Sequence, residues 1–163
     1  MPKKRRDRPA MPPGYGVPEG TAGMLAWHAV AKRLAAAKNY WLITARPDGR
    51  PHVMPVWAVW LDGTLCFGTD RRSRKSRNIA ANPAVAVNLD NSEEPVILEG
   101  TAHELLDPAR LAEIDKAYTG KYGMQMSDAP GDLAVFGVHP LVVFAWREKD
   151  FPRSATRWRF EQT

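Results

Sequence analysis

The run Tyr40-Trp41-Leu42-Ile43-Thr44-Ala45-Arg46-Pro47-Asp48-Gly49-Arg50-Pro51-His52-Val53-Met54-Pro55-Val56-Trp57-Ala58-Val59-Trp60-Leu61-Asp62-Gly63-Thr64-Leu65-Cys66-Phe67-Gly68-Thr69 carries the architecture. Three strand-like stretches, 40–46, 50–60 and 64–69, are separated by Pro47-Asp48-Gly49 and by Asp62-Gly63, and Asp-Gly between apolar runs is hairpin-turn chemistry. Connections this short force neighbouring strands antiparallel, so a meander is expected. The middle stretch loads both of its faces with Val53, Val56, Trp57, Val59 and Trp60. Both faces therefore need a cover of protein or ligand, and a second copy of the chain is the expected one. Pro55 cannot donate to a ladder, which places a bulge or an edge beside it and frees main-chain groups.

Working outward, Met24, Trp27, Ala31 and Leu34 recur at helical spacing behind Thr21, a candidate N-cap. Downstream, Ser73 opens a short helix that must stop before Pro83. Strands follow over 84–90 and 95–106 with a turn at Asn91-Ser92-Glu93-Glu94. Asp107-Pro108 supplies an N-cap and an N1 proline for a helix striped by Leu111, Ile114 and Tyr118 and ended by Gly120 or Gly123. Residues 124–132 read as loop, 133–146 as a strand pair or one bent strand interrupted at His139-Pro140, and 154–160 as a terminal strand. The expected fold is mainly β with short helices (α+β), six or seven antiparallel strands closed into a small barrel or a curled sheet.

With 163 residues and 44% apolar side chains, the chain can bury one sizeable core, and residues 21–163 are expected to form a single domain. No apolar run approaches the roughly 18–20 residues of a membrane span, and the N-terminus lacks the apolar segment of a signal peptide. The lone cysteine, Cys66, excludes an internal disulfide and a Cys-based metal site, and a reducing cytoplasm is expected. The net charge is +5, and residues 1–20 hold Lys3, Lys4, Arg5, Arg6 and Arg8 together with five of the fourteen prolines. That segment reads as a disordered basic tail whose removal should leave folding and ligand affinity unchanged. A weakly basic domain without aromatics interleaved in its basic run is not a nucleic-acid binder; a small acidic ligand is the expected partner.

No hydrolase motif or phosphate-binding Walker loop is present, and His28, His52, His103 and His139 lie too far apart in sequence to suggest a metal site. The segment from Thr69 to Asn78 is different. There a strand end runs into a basic loop and a helix start, so free N–H groups, the helix dipole, the Ser73 hydroxyl and the charges of Arg74, Lys75 and Arg77 converge on an anion such as a phosphate. The competing reading is a solvated basic face.

Three segments, 44–57, Leu65-Cys66-Phe67-Gly68-Thr69, and Ser73-Arg74-Lys75-Ser76-Arg77-Asn78-Ile79 followed by Asn82-Pro83-Ala84-Val85-Ala86-Val87, together with Glu99-Gly100-Thr101-Ala102, resemble the flavin and deazaflavin oxidoreductases with the split β-barrel of pyridoxamine 5'-phosphate oxidase. The resemblance covers about 24–160. It implies a homodimer with an FMN-type groove at the subunit interface. In that groove the main chain of Met54, Pro55, Val56 and Trp57 faces the ring, while Thr69, Ser73, Arg74 and Lys75, with Arg77 and Asn78 nearby, hold the phosphate. True pyridoxamine phosphate oxidases carry an Arg-Gln pair where this chain has Glu94-Pro95. They end in an Arg-Leu-x-Pro motif where it has Thr156-Arg157-Trp158-Arg159-Phe160. The Pro-Val-Trp strand and this ending, with Arg157 and Trp158 as further cofactor contacts, look more like the branch that uses the deazaflavin F420. FMN is the alternative, because both present a phosphate beside a flat ring. The implied activity is hydride transfer between the cofactor and a small unsaturated organic substrate. A haem- or flavin-binding protein of the same fold without turnover is the other reading, with His103 or His28 as the candidate axial ligands. Trp57, Trp60 and Trp158 are candidates to wall the ring, with core packing as the competing role.

Overall fold

The computed structural model describes residues 3–161. In chain order it contains β1 (Lys4–Asp7), α1 (Trp27–Ala36), β2 (Tyr40–Ala45), β3 (Pro51–Val56), β4 (Val59–Leu61), β5 (Thr64–Asp70) and α2 (Arg74–Ala81). Then come β6 (Ala84–Leu89), β7 (Val96–Glu104), α3 (Pro108–Tyr122), β8 (Leu133–Ala145), α4 (Phe151–Ser154) and β9 (Thr156–Phe160). All nine strands join one antiparallel sheet in the order β1-β9-β8-β7-β6-β2-β3, with β5 on β8 and β4 on β5.

The sheet is open, not closed into a barrel, and it forks at β8. One edge of β8 is paired with β7, while the other takes β5 over 133–138 and then β9 over 142–145. The fork falls at His139-Pro140, where Pro140 has no N–H to donate, and the β7 register shifts between Glu99 and Gly100. A Cβ at residue 100 would stand 2.2 Å from the His139 carbonyl oxygen, so glycine is the residue that admits this approach.

Alternation in β2 sends Tyr40, Leu42 and Thr44 inward, where they are buried. The main core gathers Tyr40 and Leu42 with Val30 and Leu34 of α1, Leu65, Phe67, Leu98, Val138 and Trp158. Burying each such aliphatic side chain contributes about 1.5–3 kcal/mol. A second cluster, Val59, Cys66, Ile114, Tyr118 and Met126, fills the space between β4–β5 and α3. Two of the expected helix signals hold: Asp107 caps α3 through the Arg110 N–H at 3.0 Å, and Gly123 ends it with φ 75°.

Several expectations are corrected. The sheet has nine strands rather than six or seven, because two short ones are added. The 50–60 stretch is not one strand: it breaks at Trp57-Ala58, so β3 pairs only with β2 and β4 pairs only with β5. The three stretches therefore form two hairpins, not one meander. Both faces of β4 are covered by this chain, but β3 is a sheet edge with Val53 and Met54 exposed. α1 begins at Ala26 without a side-chain cap, and Thr21 takes no part. The 1–20 segment is not a free tail. Lys4–Asp7 pairs with β9, and the Arg8 guanidinium donates to the carbonyls of Gly20, Ala22, Arg153 and Ala155. Met1 and Pro2, in the basic run, lie outside the described residues. No helix among the described residues is long and apolar enough to cross a membrane.

Candidate functional site

The start of α2 is assembled by short-range hydrogen bonds. Ser73 has extended backbone (φ −62°, ψ 157°) and its Oγ accepts from the Ser76 N–H. The Thr69 hydroxyl donates to Ser73 Oγ, Ser73 to Ser76 Oγ, and Ser76 to the Asp70 carbonyl at 2.9 Å. Thr69 and Ser73 are thus engaged inside the turn that presents the helix start. The Arg74 and Lys75 N–H groups remain as first-turn donors, which have no carbonyl four residues back within the helix.

The basic residues of this segment separate into two sets. Arg71 is turned away, with Nη1 2.6 Å from Glu104 Oε1 and Nε 3.2 Å from Asp132 Oδ2, and Arg72 stands 3.5 Å from Asp70. Among the described residues, Arg46, Arg74 and Lys75 have no carboxylate at ion-pair distance. Burial holds Lys75 below its usual range. His52 on β3 is also pushed down, by burial first and then by the positive charges of Arg46, Lys75 and Arg74. His52 therefore shares one neighbourhood with three cationic side chains, Arg46, Arg74 and Lys75, of which Arg46 also feels the Asp48 carboxylate. Beneath them Asn78 is fully buried, its amide donating to Thr44 Oγ1 at 2.9 Å, and Thr44 is the β2 partner of His52. Asn78 Oδ1 and His52 Nδ1 are buried polar atoms with no partner, and such atoms mark a place where a ligand or water completes the bonding.

From His52 the free edge of β3 runs through Met54, Pro55 and Val56 to Trp57, about 16 Å at roughly 3.3 Å per residue. Met54 and Trp57 are exposed, while the Val56 side chain is buried and offers only its main chain. At the far end Trp57 lies on Tyr122, ring centroids 4.6 Å apart and planes 2° apart. Lys121 Nζ donates to Tyr40 Oη at 2.7 Å and to the Ala58 carbonyl at 2.9 Å. Sequence reading missed Lys121 and Tyr122; the available signal was the i, i+3, i+4 spacing of Tyr118, Lys121 and Tyr122 on one helix face.

Three sequence candidates do not join this site. Arg77 lines a separate cleft of about 430 Å³ with Arg71, His103, Glu104 and Phe136. Arg157 is ion-paired to Asp7 at 2.8 Å. Trp158 is 1% exposed and packs edge-on against Trp27, which makes it core. Trp60, too, packs against Trp27. The candidate haem ligands His28 and His103 are both surface residues, on α1 and β7.

Burial pulls the Lys121 ammonium down to about 8 from its ordinary 10.5. Between those values the unfolded chain binds more protons than the folded one, so this group makes stability rise with pH across that window. Cys66, raised by burial to about 11 from 9, acts in the opposite sense above pH 9. Comparing wild type with Lys121→Met cancels the Cys66 contribution. The stability difference, wild type minus variant, is expected to grow in favour of wild type between pH 8 and 10 in urea denaturation; a flat difference would show a fully solvated ammonium.

Residues 26–147 match the pyridoxamine 5'-phosphate oxidase family. Among solved structures, a conserved hypothetical protein from Mycobacterium tuberculosis superposes with TM-score 0.71 at 18% identity, covering 80% of this chain and 89% of its own. An F420 reductase aligns at 28% identity with TM-score 0.52, covering 69% of this chain and 94% of its own. A pyridoxamine 5'-phosphate oxidase-related, FMN-binding protein from Nostoc punctiforme aligns at 20% identity with TM-score 0.56, covering 77% and 83%. No curated protein matches the chain.

Proposed function

The chain belongs to the pyridoxamine 5'-phosphate oxidase family, and from that premise we propose that it is a cytoplasmic oxidoreductase moving hydride between a bound deazaflavin F420 and a small unsaturated organic substrate, with FMN as the alternative cofactor. The observation that carries this reading is the β3 edge, which runs from a cationic cluster at Arg46, His52, Arg74 and Lys75 to the flat Trp57–Tyr122 stack. A phosphate at the first and a planar ring near the second are the two features that both cofactors share. The 28% identity to an F420 reductase favours the deazaflavin. When bound, such a group supplies the hydride chemistry itself. The chain's own part is to neutralise the phosphate with Arg74, Lys75 and the α2 start, to lay the β3 main chain along the ring, and to exclude water with Met54 and Trp57. Titration of the purified protein with F420 and with FMN, read by fluorescence, tests this. Saturable binding weakened by inorganic phosphate is expected, and no binding of either would overturn it.

The outer face of the sheet supports a homodimer. The register puts Val53, Ile43, Ala86, Glu99 and Val142 in one row and Trp41, Asn88, Ile97 and Phe144 in the next, a mostly apolar face interrupted by Glu99 and Asn88, all on the side away from the core. None of these side chains is buried by this chain, and contiguous apolar surface of that kind marks an interface. The cationic cluster lies by the same β3 edge, with His52 on the opposite, Thr44 side of the sheet, so a second copy reaching over that edge would close the groove. Ile43→Glu places a charge at its middle and is expected to yield monomers near 18.2 kDa by light scattering where wild type gives twice that mass. A wild-type monomer would remove the dimer.

A further inference from the structure

We propose that Lys121 and Tyr122 are positioning residues: the last turn of α3 holds the strand break at Trp57-Ala58 in the shape that receives the flat end of the cofactor. This rests on the functional reading above and extends it to two residues outside the phosphate pocket and the β3 edge.

The break removes the Ala58 main chain from any ladder, and Ala58 is 0% exposed, so water cannot replace the lost partners. All of its replacements come from two consecutive side chains. The Ala58 N–H donates to Tyr122 Oη at 3.0 Å. The Ala58 carbonyl accepts from Lys121 Nζ at 2.9 Å. The single proton of the Tyr122 hydroxyl is shared between the carbonyls of Ala58 at 2.9 Å and Lys38 at 2.8 Å, which ties the break to the loop before β2. Among the described residues, Lys121 has no carboxylate at ion-pair distance. Its charge is met by Tyr40 Oη and by the faces of Tyr40 and Tyr122, 4.8 and 5.2 Å from Nζ. A half-buried ammonium without a counter-charge is a poor stabiliser of a fold, but it supplies the donors that a redirected carbonyl needs.

The same turn sets the orientation of Trp57. Tyr122 backs the indole in a parallel stack, and Trp57 keeps 37% of its surface open beside the β3 edge. A ring delivered along that edge meets an indole whose plane is already fixed, which lowers the ordering cost of binding. Sequence proximity has no part in this: Trp57 and Tyr122 are 65 positions apart and meet because α3 packs on β4.

The test compares Lys121→Met, which keeps the stem and removes the donors, with Tyr122→Leu, which removes the stack, and the milder Tyr122→Phe, which keeps the stack and removes the hydroxyl. Affinity is measured for FMN and F420 and, separately, for ribose 5-phosphate as a probe without the ring. Lys121→Met and Tyr122→Leu are expected to weaken the ring-bearing ligands about tenfold and to leave ribose 5-phosphate within twofold; Tyr122→Phe should fall between. Equal weakening of all ligands, or none, would overturn the proposal. A second readout needs no ligand. The near-ultraviolet circular dichroism contributed by Trp57, obtained as wild type minus Trp57→Phe, is expected to collapse in Lys121→Met and Tyr122→Leu. If wild type binds neither cofactor, the functional reading fails, and this signal still decides the positioning role: retention of the Trp57 contribution in both variants refutes it.

Discussion

Arg8→Ala is expected to lower the thermal unfolding midpoint by about 5–12 °C, and deletion of residues 1–8 by more. The guanidinium of Arg8 donates to four main-chain carbonyls drawn from two distant segments, Gly20 and Ala22 ahead of α1 and Arg153 and Ala155 ahead of β9. Hydrogen bonds from a charged donor are worth about 1.5–3 kcal/mol each, and several on one group are not additive, so a loss of about 2–4 kcal/mol is expected. In a domain of this size each kcal/mol moves the midpoint by about 2–4 °C. Deletion adds the loss of the β1–β9 ladder and of Asp7, which Arg157 and Arg159 both engage. Hydrogen bonding to Arg157 and then to Arg159 outweighs burial and holds the Asp7 carboxyl below its ordinary 3.8, so its contribution is present above that value and fades as pH falls through the depressed pKa. Arg5→Ala, an exposed change on the same strand, should shift the midpoint by less than about 2 °C, in the range of ordinary surface substitutions. Calorimetry of the three variants checks the order; an Arg8→Ala midpoint equal to wild type would restore the reading of 1–20 as a free tail.

That tail shows where a single sequence stops being informative. Lys4-Arg5-Arg6-Asp7 has no hydrophobic alternation, because β1 is an edge strand held by main-chain pairing and by ion pairs, and charged side chains are what such an edge carries. Nothing local distinguishes it from a solvated arm. Elements whose cause is local were legible: the Ser73 and Asp107 caps, the Gly123 stop and the sheet edge at Pro55 all depend on residues within a few positions, whereas the break at Trp57-Ala58 was not read, since Pro55 itself stays in register with Trp41. Trp158 was illegible for the opposite reason. Alternation assigns it a face, but only the curl of the sheet says that this face meets Trp27 across the core rather than a cofactor. Lys121 and Tyr122 were hidden likewise, since their role exists only because the β3–β4 break lies under the end of α3.

The largest effect on ligand affinity is expected at Lys75. Charge counting alone makes Arg71, Arg72, Arg74, Lys75 and Arg77 equivalent; the structure separates them. Arg71 holds Glu104 and Asp132, Arg72 lies by Asp70, and Arg77 faces another cleft. Lys75 is half-buried in the first turn of α2, without a carboxylate partner and beside His52. A charge-assisted bond to a phosphate there is worth about 1.5–3 kcal/mol, and each 1.4 kcal/mol is tenfold in affinity, so Lys75→Ala should raise the Kd for F420 or FMN at least about tenfold. Arg71→Ala should leave the Kd within about twofold, because its guanidinium is spent on Glu104, and should register in stability instead. Salt provides the internal control. A direct contact in a partly desolvated pocket survives at high ionic strength, whereas a solvated basic face acts through a field screened over about 10 Å at 0.1 M. Measured at two salt concentrations, a Lys75→Ala penalty that persists while Arg71→Ala stays near wild type locates the phosphate at the start of α2. Equal small effects that both vanish with added salt would return this segment to a solvated basic face and leave the β3 edge without its anchoring charge.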